Sequence, residues 1–159
     1  MCATKPKNRT IKLIVKASEL YGDPPIDMFI DPNTALIDDE GFGSMFGQNN
    51  RNFKTEVELG SKVTWTIETA EPKGADKNYD VILSAITPKP NSKTQNLFGK
   101  PELKPGKNKK QIEGTVVFGS LTGDSEEEVY NIYFGISNNK GKSYDYFPLD
   151  PKLQMRRNV

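Results

Sequence analysis

Short runs in which apolar and polar residues alternate constrain the fold of this chain more than any other feature of its sequence. In residues 10–17, Ile11, Leu13 and Val15 fall on one side of an extended backbone and two lysines fall on the other. This two-residue period is typical of a half-buried strand. Residues 26–31 alternate in the same way and predict a second strand. Because no convincing amphipathic helix accompanies these runs, we expect an all-β protein.

The residues around Gly60-Ser61 give the most specific local prediction. Residues 53–59 alternate, residues 63–68 alternate, and only a few turn-forming residues separate the two runs. This arrangement predicts a β-hairpin. Trp65 lies within the second run and is expected to be a core anchor.

The rest of the chain supplies further strand signals. Residues 143–155 contain Pro148 and Pro151, which predicts either one kinked edge strand or two short strands. Three more runs are rich in Val, Ile, Tyr or Phe and are bounded by Gly, Pro, Asn or Asp, as strands commonly are. They cover residues 79–86, 112–121 and 129–136.

About eight strands in one domain predict a single antiparallel β-sandwich of immunoglobulin-like or cupredoxin-like type. We expect this domain to cover residues 10–159, after a flexible N-terminal segment at residues 1–9. Two long stretches show no strand pattern, residues 31–52 and residues 87–110. We expect both to be loops, and loops of this length are often functional.

The residue inventory excludes several classes of site. The chain of 159 residues has no histidine and one cysteine, Cys2, so histidine-based triads, blue-copper sites and internal disulfides are ruled out. No residue set indicates a cofactor. With a net charge of +1, overall charge gives no reason to expect a nucleic-acid partner. No apolar run is long enough to span a membrane.

The N-terminal residues are compatible with two locations. A polar start without an apolar signal-peptide core indicates a cytoplasmic protein. Cys2 followed by Ala3 and Thr4 is also similar to a bacterial lipoprotein after cleavage. In that case a lipid anchor at Cys2 would hold the chain at the cell envelope.

Opposite charges are concentrated in the two predicted loops. Residues 17–50 contain seven acidic residues and no Lys or Arg, whereas residues 88–110 contain seven lysines and one acidic residue. Such stretches are expected to attract each other within one chain or between copies. The lysines proposed to bind a partner are Lys104, Lys107, Lys109 and Lys110.

The acidic stretch also offers oxygen ligands for a hard cation. Asp31, Asn33, Asp38 and Asp39 form a candidate Ca²⁺ site, because Ca²⁺ takes six to eight oxygens from loops. Leu36 stands where an EF-hand requires glycine, so the site would be irregular. The alternative is a solvated acidic surface.

Residues 41–47 read Gly-Phe-Gly-Ser-Met-Phe-Gly and lack the lysine of a phosphate-binding loop. We therefore interpret Phe42, Met45 and Phe46 as an apolar cluster. It either packs on the core or is exposed to bind a partner.

Two family resemblances follow from these motifs. The stretch Val57–Trp65, a glycine turn before Val-Thr-Trp, resembles part of the cupredoxins, although their copper ligands are missing here. A longer set of features is similar to the AidA and PixA group of bacterial inclusion-body proteins, although Leu149 replaces the tryptophan usual in that group. Those features are Ile30-Asp31, the glycine-rich residues 41–47, the predicted hairpin, residues 130–136, and residues 146–151 ending in Asp-Pro.

The PixA-type resemblance implies a β-sandwich and supplies no catalytic residues. We therefore expect a non-catalytic module that binds a protein partner or associates with itself. One alternative is a surface-anchored bacterial lipoprotein domain that binds a ligand or Ca²⁺. A more distant alternative is a carboxylate-based glycan-active enzyme, since paired carboxylates can catalyse glycoside hydrolysis.

Overall fold

Strands dominate the part of the chain that the computed structural model describes, which is residues 5–41, 43–89, 96–118 and 127–155. The helical elements there are short: α1 (Ala17–Leu20), α2 (Asp27–Ile30) and the 3₁₀ turns Asp31–Asn33 and Asn50–Asn52. The strands are β1 (Arg9–Val15), β2 (Thr34–Asp38), β3 (Gly43–Ser44), β4 (Lys54–Val57), β5 (Lys62–Thr69), β6 (Asp80–Lys89), β7 (Gln111–Thr115), β8 (Glu127–Ser137), β9 (Asp145–Leu149) and β10 (Lys152–Met155).

These strands form two sheets. Sheet A has the order β3-β2-β1-β5-β7. Sheet B has the order β4-β10-β8-β6, and β9 continues the line of β10 along the same edge of β8. The described chain is therefore an all-β sandwich, as its alternating sequence predicts.

One hydrophobic core lies between the sheets and is built from the inward residues of each alternating run. Trp65 on β5 is 1% exposed, so its predicted place in the core is confirmed. Its ring packs edge-on against Phe98 and against Tyr130 of β8, with ring centroids 5.6 and 5.7 Å apart.

The prediction of purely antiparallel sheets is wrong. Strand β1 runs parallel to β5 in sheet A, and β4 runs parallel to β10 in sheet B. Both pairings join strands that are far apart in sequence. Parallel neighbours need such crossover connections, and local alternation carries no information about them.

The predicted hairpin around Gly60-Ser61 is also wrong, although the turn exists. The Ser61 N–H donates to the Glu58 carbonyl at 2.9 Å, and Gly60 has a positive φ of 91°. However, β4 pairs with β10 and β5 pairs with β1 and β7. The turn therefore carries the chain from sheet B to sheet A.

The structure corrects two predictions between residues 26 and 52. Residues 26–31 were expected to be a strand, but they form α2 and the start of a 3₁₀ turn, and Ile30 is the one buried residue among these six. Residues 31–52 were expected to be irregular, but they contain β2 and β3. Strand β2 is buried on nearly every residue, so it lacks the alternation that would have revealed it.

The remaining strand predictions fare better. Strands β6 and β8 match the runs at 79–86 and 129–136 and extend beyond them, and residues 143–155 form two short strands. The run at 112–121 gives the shorter β7 within the described residues. No helix in the described parts of the chain is long and apolar enough to cross a membrane.

Candidate functional site

The lysine-rich stretch of residues 96–110 closes one side of the sandwich. Backbone groups of Leu103 exchange hydrogen bonds with Ile86 of β6 at 2.8 and 2.9 Å, and the Leu83 N–H donates to the Lys109 carbonyl at 2.7 Å. Leu97, Phe98 and Leu103 are buried. Residues 87–89 belong to β6, which corrects the predicted start of the loop, whereas residues 96–110 form no named strand or helix and cover the outer edge of β6.

A glycine on β7 makes this packing possible. A Cβ at Gly114 would lie 2.5 Å from a Leu103 side-chain carbon and 3.0 Å from Phe98. The apolar residues of the stretch therefore lie directly on the inner face of β7. Its lysines are left on the outside, and we call residues 96–110 together with β7 the lysine edge.

The four lysines predicted to bind a partner differ in their surroundings. Lys104, Lys107 and Lys109 are exposed, and Lys104 has only a long contact of 3.9 Å with Glu102. Lys110 is different because its Nζ donates to Asp80 Oδ1 at 2.6 Å and also contacts the Val81 carbonyl. Lys110 thus ties the start of β7 to β6.

Asp80 is the centre of a small polar cluster at this end of the sandwich. Tyr144 OH donates to Asp80 Oδ2 at 2.7 Å. Burial acts to raise the pKa of Asp80, but the hydrogen bonds from Lys110 and Tyr144 outweigh it and hold the pKa below its usual range. Burial and the bond to Asp80 raise the pKa of Tyr144 to about 12. Both shifts move away from neutrality, so the cluster keeps fixed charges and does not exchange protons near pH 7.

The opposite side of the sandwich carries acidic residues, which we call the acidic edge. The edge is held together by Arg51, whose guanidinium lies 2.7 Å from Asp27 and 2.8 Å from Asp150, and by the Gly22 N–H, which donates to Asp145 Oδ2 at 3.2 Å. It comprises Asp23, Asp27, Asp145 and Asp150 around these contacts, together with Asp39 at the far end of β2. Glu40 is left out because Arg9 Nη1 lies 2.6 Å from its carboxylate, and this contact lowers the pKa of Glu40.

The sheet order places the two charged edges on opposite sides of the molecule. Strands β7 and β6 are the last strands of sheets A and B on the lysine side. Strands β3 and β4 are the last strands on the acidic side, where segment 17–33 leads into β2. Within one copy, Asp27 and Asp150 pair with Arg51, and the described residues show no ion pair between either of them and Lys104, Lys107 or Lys109.

The structure does not bring the four candidate Ca²⁺ ligands together. Asp31 and Asn33 precede β2, whereas Asp38 and Asp39 stand at its far end. Asp31 Oδ1 accepts from Asn50 Nδ2 at 2.6 Å, and Asp38 Oδ1 accepts from the Glu40 N–H at 2.9 Å. Within the described ranges, no group of three or more acidic, cysteine or histidine side chains is placed to hold a metal ion.

The predicted apolar cluster is partly visible. Met45 is 58% exposed, and Phe46 is half-buried beneath the Lys16 ammonium, which lies 4.6 Å from the ring centroid. Phe42 lies outside the described residues, as does Cys2, the proposed lipid-anchor position. Met45 and Phe46 therefore belong to the same side of the molecule as β3.

A buried carboxyl is the feature that sequence reasoning missed most clearly. Glu128 on β8 is 1% exposed, and its Oε2 accepts from the Leu97 N–H at 3.3 Å. Its other oxygen has no hydrogen-bond partner among the described residues. Burial raises the pKa of Glu128 to about 7, and the bond from Leu97 offsets this only in part. The alternation of β8 places Glu128 on the side that faces the core. This could have been noticed in the sequence, but Glu128 follows two other glutamates that resemble a solvated turn.

Comparison with solved structures supports the fold. The chain is similar to the inclusion body protein PixA from Burkholderia cenocepacia, with a TM-score of 0.57 over 96% of this chain and 95% of that one. The two sequences are 10% identical, so the similarity concerns the fold alone. It confirms the PixA-type resemblance at that level.

A second match has a TM-score too low to indicate a shared fold. A cysteine protease inhibitor from Entamoeba histolytica covers 67% of this chain and 88% of its own, with 9% identity and a TM-score of only 0.26. No protein-family model and no curated protein sequence matches the chain.

Proposed function

We propose that this protein is a non-catalytic, cytoplasmic module that assembles with copies of itself, the lysine edge of one copy binding the acidic edge of the next. The observation that carries this proposal is the placement of the two edges on opposite sides of one sandwich. Each copy then presents one basic and one acidic surface. Contacts of this head-to-tail kind are repeated from copy to copy and give open arrays unless the rotation closes a ring.

The structural similarity to PixA supports the same proposal. That protein is described as an inclusion body protein, a description in keeping with self-assembly. The overall charge of +1 also supports it, since proteins near zero net charge associate more readily than strongly charged ones. The lipid-anchored and glycan-active alternatives stay predictions from the sequence.

Ionic strength provides the first test. Sedimentation velocity at about 20 mM and about 500 mM salt should show large species at low salt and smaller ones at high salt, because the distance over which exposed charges are screened falls from about 20 Å to about 4 Å across that range. A single monomeric species at both salt concentrations would contradict the proposal.

Charge variants locate the contact. Lys104, Lys107 and Lys109 changed together to Gln should reduce assembly at low salt. The matched control changes Lys73, Lys77 and Lys142 to Gln. These lysines are also exposed but lie outside residues 96–110 and β7, so assembly should be unchanged.

A charge exchange between two variants is the sharpest test. One variant has Lys104, Lys107 and Lys109 changed to Glu, and the other has Asp23 and Asp27 changed to Lys. Each alone should stay monomeric because like charges meet at every contact. The mixture should assemble, since every contact between unlike variants again joins opposite charges.

A further inference from the structure

Strand β7 has backbone groups directed away from the sheet that no described residue pairs. The Ile67 N–H donates to the Lys110 carbonyl at 3.2 Å, and the Val116 N–H donates to the Ser61 carbonyl at 2.9 Å. Because bonded positions alternate along an antiparallel pair, Ile112 and Gly114 also direct their backbone toward β5. Glu113 and Thr115 therefore direct their N–H and C=O groups outward.

This outer edge is unpaired at Glu113 and Thr115, whereas just beyond the strand the Val117 N–H donates to the Leu97 carbonyl at 2.8 Å. Glu113 and Thr115 are exposed, and grooves on both sides of Glu113 separate β7 from residues 98–108. The outer edge of β6, by contrast, is covered by Leu103 and Lys109. An unpaired edge strand is a template for a strand from another chain.

The charges beside β7 indicate what kind of strand it accepts. Lys62, Lys100, Lys104 and Lys107 line the two grooves, whereas Glu113 is the only acidic residue there and lies 3.2 Å from Lys62. The edge therefore favours an incoming segment with negative charge.

The opposite edge of the same sheet supplies such a segment. Strand β3 is the last strand of sheet A on the acidic side, and the turn that leads into it carries exposed Asp39. Gly43 lies on β3, and a Cβ there would lie 2.6 Å from the Leu36 carbonyl oxygen, so glycine lets β3 pair closely with β2.

The strand directions are also compatible. Strand β3 is antiparallel to β2, β2 is antiparallel to β1, and β1 is parallel to β5. Strand β7 is antiparallel to β5. When one copy is placed beside another in the same orientation, β3 of the second copy runs antiparallel to β7 of the first, which is the commoner pairing.

We infer that successive copies join by strand pairing, with β3 of one copy adding antiparallel to β7 of the next and continuing sheet A from copy to copy. This inference rests on the proposed self-assembly and names its backbone contact. The lysine and acidic edges bring the two strands together, and the outward groups of Glu113 and Thr115 bind them.

Proline at position 113 tests the inference. Glu113→Pro removes an outward N–H and leaves the bonds to β5 in place, and proline is tolerated on an edge strand in this position. Glu113→Gln is the matched control, because it loses the same charge and keeps the N–H. We expect the proline variant to raise the dissociation constant for assembly at least about tenfold relative to the glutamine variant.

Several outcomes decide between the proposals. If the proline and glutamine variants assemble equally well, strand pairing through β7 is wrong and the proposed assembly still holds. If the unaltered protein is monomeric at low salt, both are wrong. Thermal melting checks the fold of each variant, and Thr115→Pro, which removes another outward N–H, replaces Glu113→Pro if that variant does not fold.

Crosslinking gives an independent measurement. In a Cys2→Ser background, Glu113→Cys in one protein and Met45→Cys in another should be joined by a short thiol crosslinker when the two are mixed. A matched pair, Lys73→Cys with Met45→Cys, should not be joined. Equal yields from both pairs would overturn the inference.

Discussion

Trp65 and Tyr130 join the two sheets through a hydrogen bond inside the core. The Trp65 Nε1–H donates to the Tyr130 hydroxyl oxygen at 3.1 Å, and both side chains are at most 1% exposed. Burial raises the pKa of Tyr130, so its hydroxyl stays protonated at ordinary pH. Trp65 lies on β5 and Tyr130 on β8, so this bond fixes how the sheets are aligned.

Removing the acceptor should be costly. Tyr130→Phe leaves the buried indole N–H unpaired, and we expect a loss of about 1–3 kcal/mol in the free energy of unfolding, measured in urea. Tyr133→Phe is the control, because its hydroxyl lies at the partly exposed face of the sheet and accepts from Asn131. Equal losses for the two variants would contradict a special role for the bond.

Glu128 should make stability fall as pH rises. Its pKa is about 7 in the folded protein against an ordinary value of 4.5, so the folded state binds the proton more tightly. The contribution of Glu128 is fully present below about pH 4.5 and is lost as pH rises through 7, by about 3 kcal/mol in total. Glu128→Gln should therefore stabilise the protein at pH 8 and have little effect at pH 4.5.

The neighbouring carboxyl is the control for this measurement. A hydrogen bond from Lys54 lowers the pKa of Glu127, opposite in direction to the shift at Glu128. Glu127→Gln should therefore not stabilise the protein at pH 8. Urea unfolding at both pH values compares the two variants. If Glu128→Gln is no more stable than the unaltered protein at pH 8, burial does not disfavour the ionised Glu128 carboxylate.

In the lysine edge, we expect the buried apolar residues to stabilise the fold and the exposed lysines to contribute little to stability. Leu103→Ala removes a buried side chain that lies against Gly114 and should cost about 2–5 kcal/mol of unfolding free energy. Lys104→Gln, one residue later and exposed, should change that free energy by less than about 0.5 kcal/mol. A large loss for Lys104→Gln would mean that its charge serves the fold.

Calcium should have no effect at low concentration. Asp31 and Asp38 stand at opposite ends of β2 and are both engaged by protein donors, so we expect no rise in melting temperature below millimolar Ca²⁺. Thermal unfolding with and without Ca²⁺ measures this. A clear rise at micromolar Ca²⁺ would restore the site predicted from Asp31, Asn33, Asp38 and Asp39.

The strands that sequence alone identified are those with one side in the core and one in water. Strand β5 alternates buried and less buried residues throughout, and its pattern was unmistakable. Strand β2 is buried on nearly every residue and offered no such pattern. In residues 26–31 the alternation was accidental, since Ile26 and Met28 are 49% and 72% exposed.

Which strands pair with each other could not be predicted, for a different reason. A turn at Gly60 is visible in the sequence, but whether the chain folds back in one sheet or crosses to the other depends on residues far away. The charged edges show the same limit. The sequence identified Lys104, Lys107 and Lys109, but the position of Asp145 and Asp150 on the acidic edge follows from the fold.

The turn at residues 58–61 has a consequence for the order in which the protein folds during synthesis. Because β4 does not pair with β5, its only partner among the described strands is β10, which pairs Lys152 with Lys54 and so comes much later in the sequence. Strand β4 therefore stays unpaired until β10 has left the ribosome. Such long-range pairing slows folding. Nascent chains with an unpaired β4 are thus the species most prone to join one another wrongly, and chaperones that bind extended segments would be expected to act at that stage.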